Sequence, residues 1–357
     1  MWFNTFSQAT GNDKIYENGR EIPDKGRNYI FTGDLPAAID VAIGLGRPLL
    51  VSGDPGCGKT ELGYAIARKL SIGRVHFFST KSNSEARDLF YTYDAIGRFR
   101  EAQAQSGPAA KPADAADYIE FQALGRAILD AHRPEEVSHL MRGRRAYSHP
   151  GAPQRSVVII DEIDKASRDF PNDLLREIED LAFRVPEMSR DNAGQTKPAT
   201  ARGAGKSAEP ETPGRVPPAL RPIIVVTSNE ERQLPDAFLR RCVFHEIAFP
   251  SDDELRLIMA SGLGKRFPIS GGGEFDLPVA ERNILVSLLS EFRAIPPDKR
   301  PGVSEMIDAA TLLAYPLAEP PPRLADRLRA TVGALAKLKN DRTVLADLVE
   351  QTVAQPR

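Results

Sequence analysis

The stretch GDPGCGKT at positions 53–60 limits the fold of this chain more than any other segment. It follows the apolar run PLLVSG (48–53) and leads into KTELGYAIARKL, which has the composition of a helix. The pattern G-x-x-x-x-G-K-[ST] between a strand and a helix uses glycines to curl the backbone until several N–H groups point at one place. The start of the helix adds its partial positive charge there. The occupant this arrangement suits is a chain of phosphates. Gly53, Asp54, Pro55, Gly56, Cys57, Gly58, Lys59, Thr60 and Glu61 are therefore the candidate nucleotide contacts. Lys59 is placed to reach the β- and γ-phosphates of a nucleotide and Thr60 to hold Mg²⁺. Cys57 fills a variable position of the loop and receives no chemical role.

A second segment, SVVIIDEID (156–164), supplies acids. Its apolar part reads as a buried strand that delivers Asp161 at its tip, where a carboxylate can bind Mg²⁺ through water. Glu162 follows, placed to polarise an attacking water. Asp164 reads as a cap or as the partner of Lys165, a structural role. A third apolar run, PIIVVTSN (222–229), ends in Asn229. A polar residue there can orient the water or touch the γ-phosphate, although asparagine at a strand end is also a common turn residue.

RVHFFST (74–80) and CVFHEIAF (242–249) complete a set of five strand-like runs. Continuous β-branched runs separated by helix-like stretches predict an α/β fold with a parallel sheet covered on both faces. After Pro250 the texture changes. Ser251 reads as an N-cap, and amphipathic stretches at about 278–294, 303–315 and 322–353 predict a small all-helical second domain. Two segments, about 100–118 and 187–219, are rich in Ala, Pro, Gly and small polar residues and read as mobile insertions. The expected organisation is an N-terminal extension (1–27), an α/β nucleotide-binding domain (28–250) and a C-terminal helical lid (251–357).

Composition narrows the class. The 357 residues carry a formal net charge of -2, with 27% charged and 41% hydrophobic residues, as in an ordinary globular protein. That charge argues against a chain built to coat nucleic acid or an anionic membrane. No run approaches the ~18 apolar residues of a membrane helix, and the N-terminus lacks the pattern of a signal peptide. Two cysteines, Cys57 and Cys242, fit a reducing cytoplasm.

Taken in order, GDPGCGKT, VVIIDEID, VVTSN and LPDAFLRRC resemble an AAA+ ATPase. The stretches DEIDKASRDFPNDLLREIED and TSNEERQLPDAFLRRCVFHEIAFP are similar to the MoxR-like branch, and the resemblance covers roughly residues 28–315. It implies a five-stranded parallel P-loop sheet, a C-terminal helical lid, and a ring, usually of six subunits, with ATP between neighbours. It gives Asn229 the sensor-1 role, places the adenine near Tyr29 and Ile30, and makes 184–220 a presensor-1 hairpin. It points Arg241 first, and Arg240 as its neighbour, at the γ-phosphate in the next subunit as an arginine finger. The implied function is Mg²⁺-dependent ATP hydrolysis coupled, chaperone-like, to remodelling a partner protein, for instance one with a von Willebrand factor A domain. The sequence departs from the family where a sensor-2 arginine is expected: KRPGVSEMIDAATLL has none at the helix start, leaving Arg300 or nothing.

Other features are less specific. Phe90, Tyr91 and Tyr93 read as groups gripping a polypeptide in a ring's pore; more simply, Leu89, Phe90, Tyr93 and Ile96 fall at helical spacing and read as a helix face packed on the sheet. MRGRRAYSH (141–149) reads as a solvated basic loop rather than a phosphate-binding patch. His132, His139 and His149 lack metal-ligand spacing. The alternatives to a protein-remodelling ATPase are a nucleic-acid-directed motor or loader, and an ATP-dependent scaffold or switch with little turnover.

Overall fold

The computed structural model describes residues 6–354, apart from 10, 12–13, 18–19, 105–113, 144–146, 189–215, 263–276, 296, 298 and 315–322. The strands are β1 (Tyr16–Glu17), β2 (Arg20–Glu21), β3 (Leu49–Gly53), β4 (Arg74–Ser79), β5 (Tyr91–Tyr93), β6 (Ile119–Phe121), β7 (Val157–Asp161), β8 (Ile223–Thr227) and β9 (Val243–Ile247). The longer helices are α1 (Leu35–Leu45), α2 (Lys59–Lys69), α3 (Ala95–Ala104), α4 (Ala123–Asp130), α5 (Asp252–Gly262), α6 (Val279–Ala294), α7 (Val303–Ala314), α8 (Leu324–Leu335) and α9 (Lys339–Ala354).

All five expected strands are present, and they form the body of one sheet in the order β2-β1-β4-β7-β8-β3-β9. β1 to β4, β4 to β7, β7 to β8 and β8 to β3 pair in parallel, and β1 to β2 antiparallel. The two short edge strands come from the N-terminal extension and were not expected. β7 and β8 are consecutive in the chain and the other parallel partners are not, but every parallel step needs a crossover connection from one end of the sheet to the other. Central β7 reads Val-Val-Ile-Ile with every residue buried, because both of its faces are covered.

The chain divides into two compact units. The first holds residues 1–23, 37–51 and 66–245. Its core packs Val158, Ile160 and Val226 with Leu124, Ile128 and Phe238. The second unit holds residues 24–36, 52–65 and 246–357. The phosphate-loop segment thus belongs to the same compact unit as the C-terminal helices. That unit's core gathers Leu285, Leu289, Met306, Leu313, Leu328 and Leu345 from α6 to α9. The stretch expected as one helix over 322–353 is two, because Ala336 leaves helical geometry (φ -114°, ψ 118°) and lets Leu335 and Leu345 enter one core.

The region 86–103 differs from expectation. A 3-10 turn over Ala86–Leu89 leads into β5, which pairs with β6 as an antiparallel two-stranded sheet, and α3 lies between them in sequence. Leu89, Phe90 and Tyr91 are buried, and Phe183 stacks against Phe90, Tyr91 and Phe121 at 5.4–6.4 Å. Leu89 and Phe90 are therefore core residues, but they come from the 3-10 turn and its end, not from a helix face, and Tyr91 joins them from β5. Ile96, expected on that face, is exposed. Most of the hairpin expected over 184–220 (residues 189–215) and much of both insertions lie outside the described residues, as do Trp2 and Arg144–Arg145 of the basic run. No helix among the described residues is long and apolar enough to cross a membrane.

Candidate active site

In the second unit, β3 ends at Gly53 and α2 starts at Lys59, so the loop between them leads onto the N-terminus of an eleven-residue helix. Gly56 and Gly58 hold φ angles of 78° and 96°, which L side chains rarely adopt. At Gly58 a Cβ would also come within 3.2 Å of the Tyr29 ring, so the sequence can have only glycine there without strain. Lys59 is buried, and its ammonium donates to the carbonyls of Gly53 (2.8 Å) and Asp54 (3.1 Å). The lysine thereby braces the cradle from inside. Burial pushes the Cys57 thiol up, although Lys59 pulls the other way, so the group is a thiol and not a thiolate at neutral pH.

Beside the loop lies a pocket of about 320 Å³ lined by Tyr29, Ile30, Gly58, Ile258, Val303 and Ile307, among others. That volume sits at the lower end of ligand pockets, ~300–1,000 Å³, and suits a base rather than a whole nucleotide. Tyr29 packs on Phe31 with ring centroids 5.0 Å apart. Desolvation holds its phenol well above the usual range, with Cys57 and Glu61 adding to the effect, so it stays neutral. Glu61 accepts from the Gly26 amide at 2.7 Å and ties this segment to α2. At the start of α7, the Ser304 amide and hydroxyl both donate to the Gly56 carbonyl at 3.2 Å. Arg300, the candidate lid arginine, is exposed.

In the first unit, the strand register sets Val51 opposite Thr227 and Ile160 opposite Val226, so Asp161 stands level with Thr227. The Thr227 hydroxyl donates to Asp161 Oδ1 (2.8 Å) and accepts from the Glu162 amide (2.9 Å). Glu162 itself is in the left-handed region, φ 55° and ψ 52°. Its carboxylate receives Asn229 Nδ2 on Oε1 at 3.2 Å and the Lys165 ammonium on Oε2. That bond raises the Lys165 ammonium above its ordinary value. Asp164 is buried and accepts the amides of Asn229 (3.2 Å) and Glu231 (2.9 Å). The structural role expected for Asp164 holds. Its partner does not: the lysine goes to Glu162, because the backbone amides of the turn after β8 already fill Asp164.

Asp161, Glu162 and Asn229 are thus brought together as expected. Sequence reasoning missed Thr227 and the use of Lys165.

Arg241 and Arg240 follow a short helix over Asp236–Leu239, and both side chains are exposed. Arg241 Nε meets Glu179 Oε1 at 2.6 Å within the same chain, and its Nη1 donates to the Ala237 carbonyl. Among the described residues no group of three or more His, Cys, Asp or Glu side chains is arranged to hold a metal. A Mg²⁺ usually takes one or two carboxylates, phosphate oxygens and waters. Asp161 and the Thr60 hydroxyl are donors of the right kind.

A family model described as "ATPase family associated with various cellular activities (AAA)" matches residues 49–251, more than half of the chain. The chain belongs to this family, which implies nucleotide binding and, in general, ATPase activity. Solved structures that the chain matches include a RuvB mutant from Thermotoga maritima, 15% identical with a TM-score of 0.39, over 88% of this chain and 65% of that one. Others are Rhizobiales Trip13, 17% identical, TM-score 0.36, over 84% and 77%, and C. elegans PCH-2, 13% identical, TM-score 0.37, over 92% and 72%. At these identities the likeness says nothing of substrate or partner. The chain spans about two thirds of the RuvB chain. Among curated proteins no sequence matches.

Proposed function

We propose that this chain is a Mg²⁺-dependent ATPase of the MoxR-like kind, working as a ring, of six subunits by the resemblance, that remodels a partner protein. One observation carries the hydrolytic part of this reading. Glu162 is held by Thr227 through its amide and by Asn229 through its carboxylate, which is how a general base is fixed in one orientation.

In this reading Lys59 and the loop amides bind the phosphates, and Tyr29 and Ile30 line the base pocket. Glu162 takes a proton from the attacking water, and Asn229 orients it. Asp161 and Thr60 hold the Mg²⁺, which neutralises phosphate charge when bound. Arg240 and Arg241 act on the nucleotide of a second copy. The Arg241–Glu179 pair does not exclude this, because exposed ion pairs are worth only ~0–1 kcal/mol and open readily. A transition-state arginine contributes ~10³–10⁵ in rate, so a finger far outweighs the pair it gives up. The near-zero net charge favours a protein client over nucleic acid. A client carrying a von Willebrand factor A domain is the partner implied by the branch.

Steady-state hydrolysis tests this. Lys59→Ala should lose binding and turnover together, and Asn229→Ala should lose turnover with ATP affinity kept. Wild-type turnover no faster than background, with ATP still bound, would leave a switch rather than a motor.

A further inference from the structure

The phosphate cradle carries an acid that works against its ligand. Asp54, the second residue of the loop, has a half-exposed carboxylate next to backbone amides that must receive a polyanion. Glu305 adds a second: a Cβ on Gly56 would lie 3.3 Å from its Oε2, although that oxygen also accepts the Gly302 amide at 3.2 Å. Lys59 is turned inward to the carbonyls of Gly53 and Asp54.

Among the described residues, a cation answers Asp54. Arg293, in the last turn of α6, places Nη2 3.0 Å from Asp54 Oδ2. The same guanidinium donates from Nη1 to the Pro301 carbonyl at 2.5 Å. It also lies over the Phe249 ring, with Cζ 3.4 Å from the centroid. Its side chain is only 14% exposed, against 47% for Asp54. A flexible surface ion pair is worth little, but here the arginine is fixed by a stack and a carbonyl before it meets the acid, so most of its ordering cost is met elsewhere.

We propose that Arg293 is a positioning residue for nucleotide, holding Asp54 neutralised and turned aside so that the loop can accept the phosphates. This rests on the nucleotide-site reading above and adds the device that makes an acidic phosphate loop usable. Arg293 acts through Asp54 and does not itself touch the nucleotide. The consequence is specific: the cost of losing Arg293 should disappear once Asp54 carries no charge.

The test measures the Kd of a fluorescent ATP analogue for the full chain at low salt. The variants are Arg293→Gln, Arg293→Lys, Asp54→Asn and the double variant Asp54→Asn with Arg293→Gln, with Lys59→Ala as control. Arg293→Gln should weaken binding by roughly three- to fivefold, the upper part of the range of a partly exposed charge contact. Arg293→Lys should lose less. Asp54→Asn should bind as well as wild type or more tightly, and the double variant should return to within about twofold of Asp54→Asn. A double variant as weak as Arg293→Gln overturns the proposal, since the arginine would then act on the ligand directly or only through packing. Unchanged binding in Arg293→Gln overturns it too. If Arg293→Gln does not fold, as judged by thermal melting, weaker binding in Asp54→Asn alone still overturns it. Wild-type affinity in Lys59→Ala removes the nucleotide-site reading itself and this proposal with it, an outcome distinct from failure at Arg293 alone.

Discussion

Glu162 holds φ 55° without being glycine, a backbone state that costs on the order of 1–3 kcal/mol and persists only where neighbours over-determine it. Thr227 is the neighbour that does so. Its buried hydroxyl accepts the Glu162 amide and donates to Asp161, joining the two acids to β8. Thr227→Val keeps the shape and removes both bonds, leaving an amide unpaired at a cost of about 1–3 kcal/mol. The expected outcome is a melting temperature several degrees lower and a kcat reduced at least tenfold, with KM for ATP little changed; Thr227→Ser should recover most of both. Cys57 gives a second expectation at this scale. Because burial keeps it a thiol, iodoacetamide at pH 7.5 should modify it far more slowly than an exposed cysteine. Cys242, pushed up to about 12 by burial, should be equally inert. Mass spectrometry after timed alkylation reads both. The identities of Lys59, Asp161, Glu162 and Asn229 were legible because each sits at a fixed offset from a glycine loop or a strand end. Thr227, Lys165 and Arg293 were not. What they do depends on which groups the register and the α6 helix bring beside them, and no spacing in the sequence encodes that.

At the scale of elements, the sheet was readable because a strand covered on both faces is written as an unbroken apolar run. β5 and β6 were missed for the opposite reason. Each is three residues long, and the two arms are 25 residues apart, so no turn signal joins them. The contact of β4 with α4 shows how strongly an element pair can be specified by polar groups. His76 of β4 is buried, with Nε2 2.8 Å from Asp130 Oδ2, and Arg74 and the Tyr147 hydroxyl share the same carboxylate. Burial lowers the His76 pKa, outweighing the opposite pull of Asp130, while Arg74 and Arg126 lower it further. The folded value therefore lies below the unfolded one of ~6.5. The unfolded chain binds the extra proton, so this stability is present above that pH and is lost as pH falls through it toward the folded value. The melting temperature should drop between pH 7.5 and 5.5, and His76→Gln, which keeps a donor for Asp130 but cannot titrate there, should flatten the drop. An equal drop in the variant would place the acid sensitivity elsewhere.

At the scale of the whole molecule, the proposed chemistry needs more than one copy. If Arg240 or Arg241 serves a neighbour's nucleotide, turnover per subunit should rise with protein concentration. Mixing an inactive Arg241→Ala or Arg240→Ala chain with an inactive Glu162→Gln chain should then restore part of the activity, because some mixed interfaces carry an intact arginine and an intact glutamate. Restoration with one arginine variant and not the other assigns the finger. The most direct measurement is simpler. ATP turnover with Mg²⁺ is compared for wild type and Glu162→Gln alongside their affinities for ATP. A positioned general base is worth ~10²–10⁴ in rate. Glu162→Gln should therefore lose at least about a hundredfold in kcat while binding ATP within a few-fold of wild type. Equal turnover in the two proteins would contradict the assignment of Glu162, and with it the reading of this chain as an ATPase built on that acid.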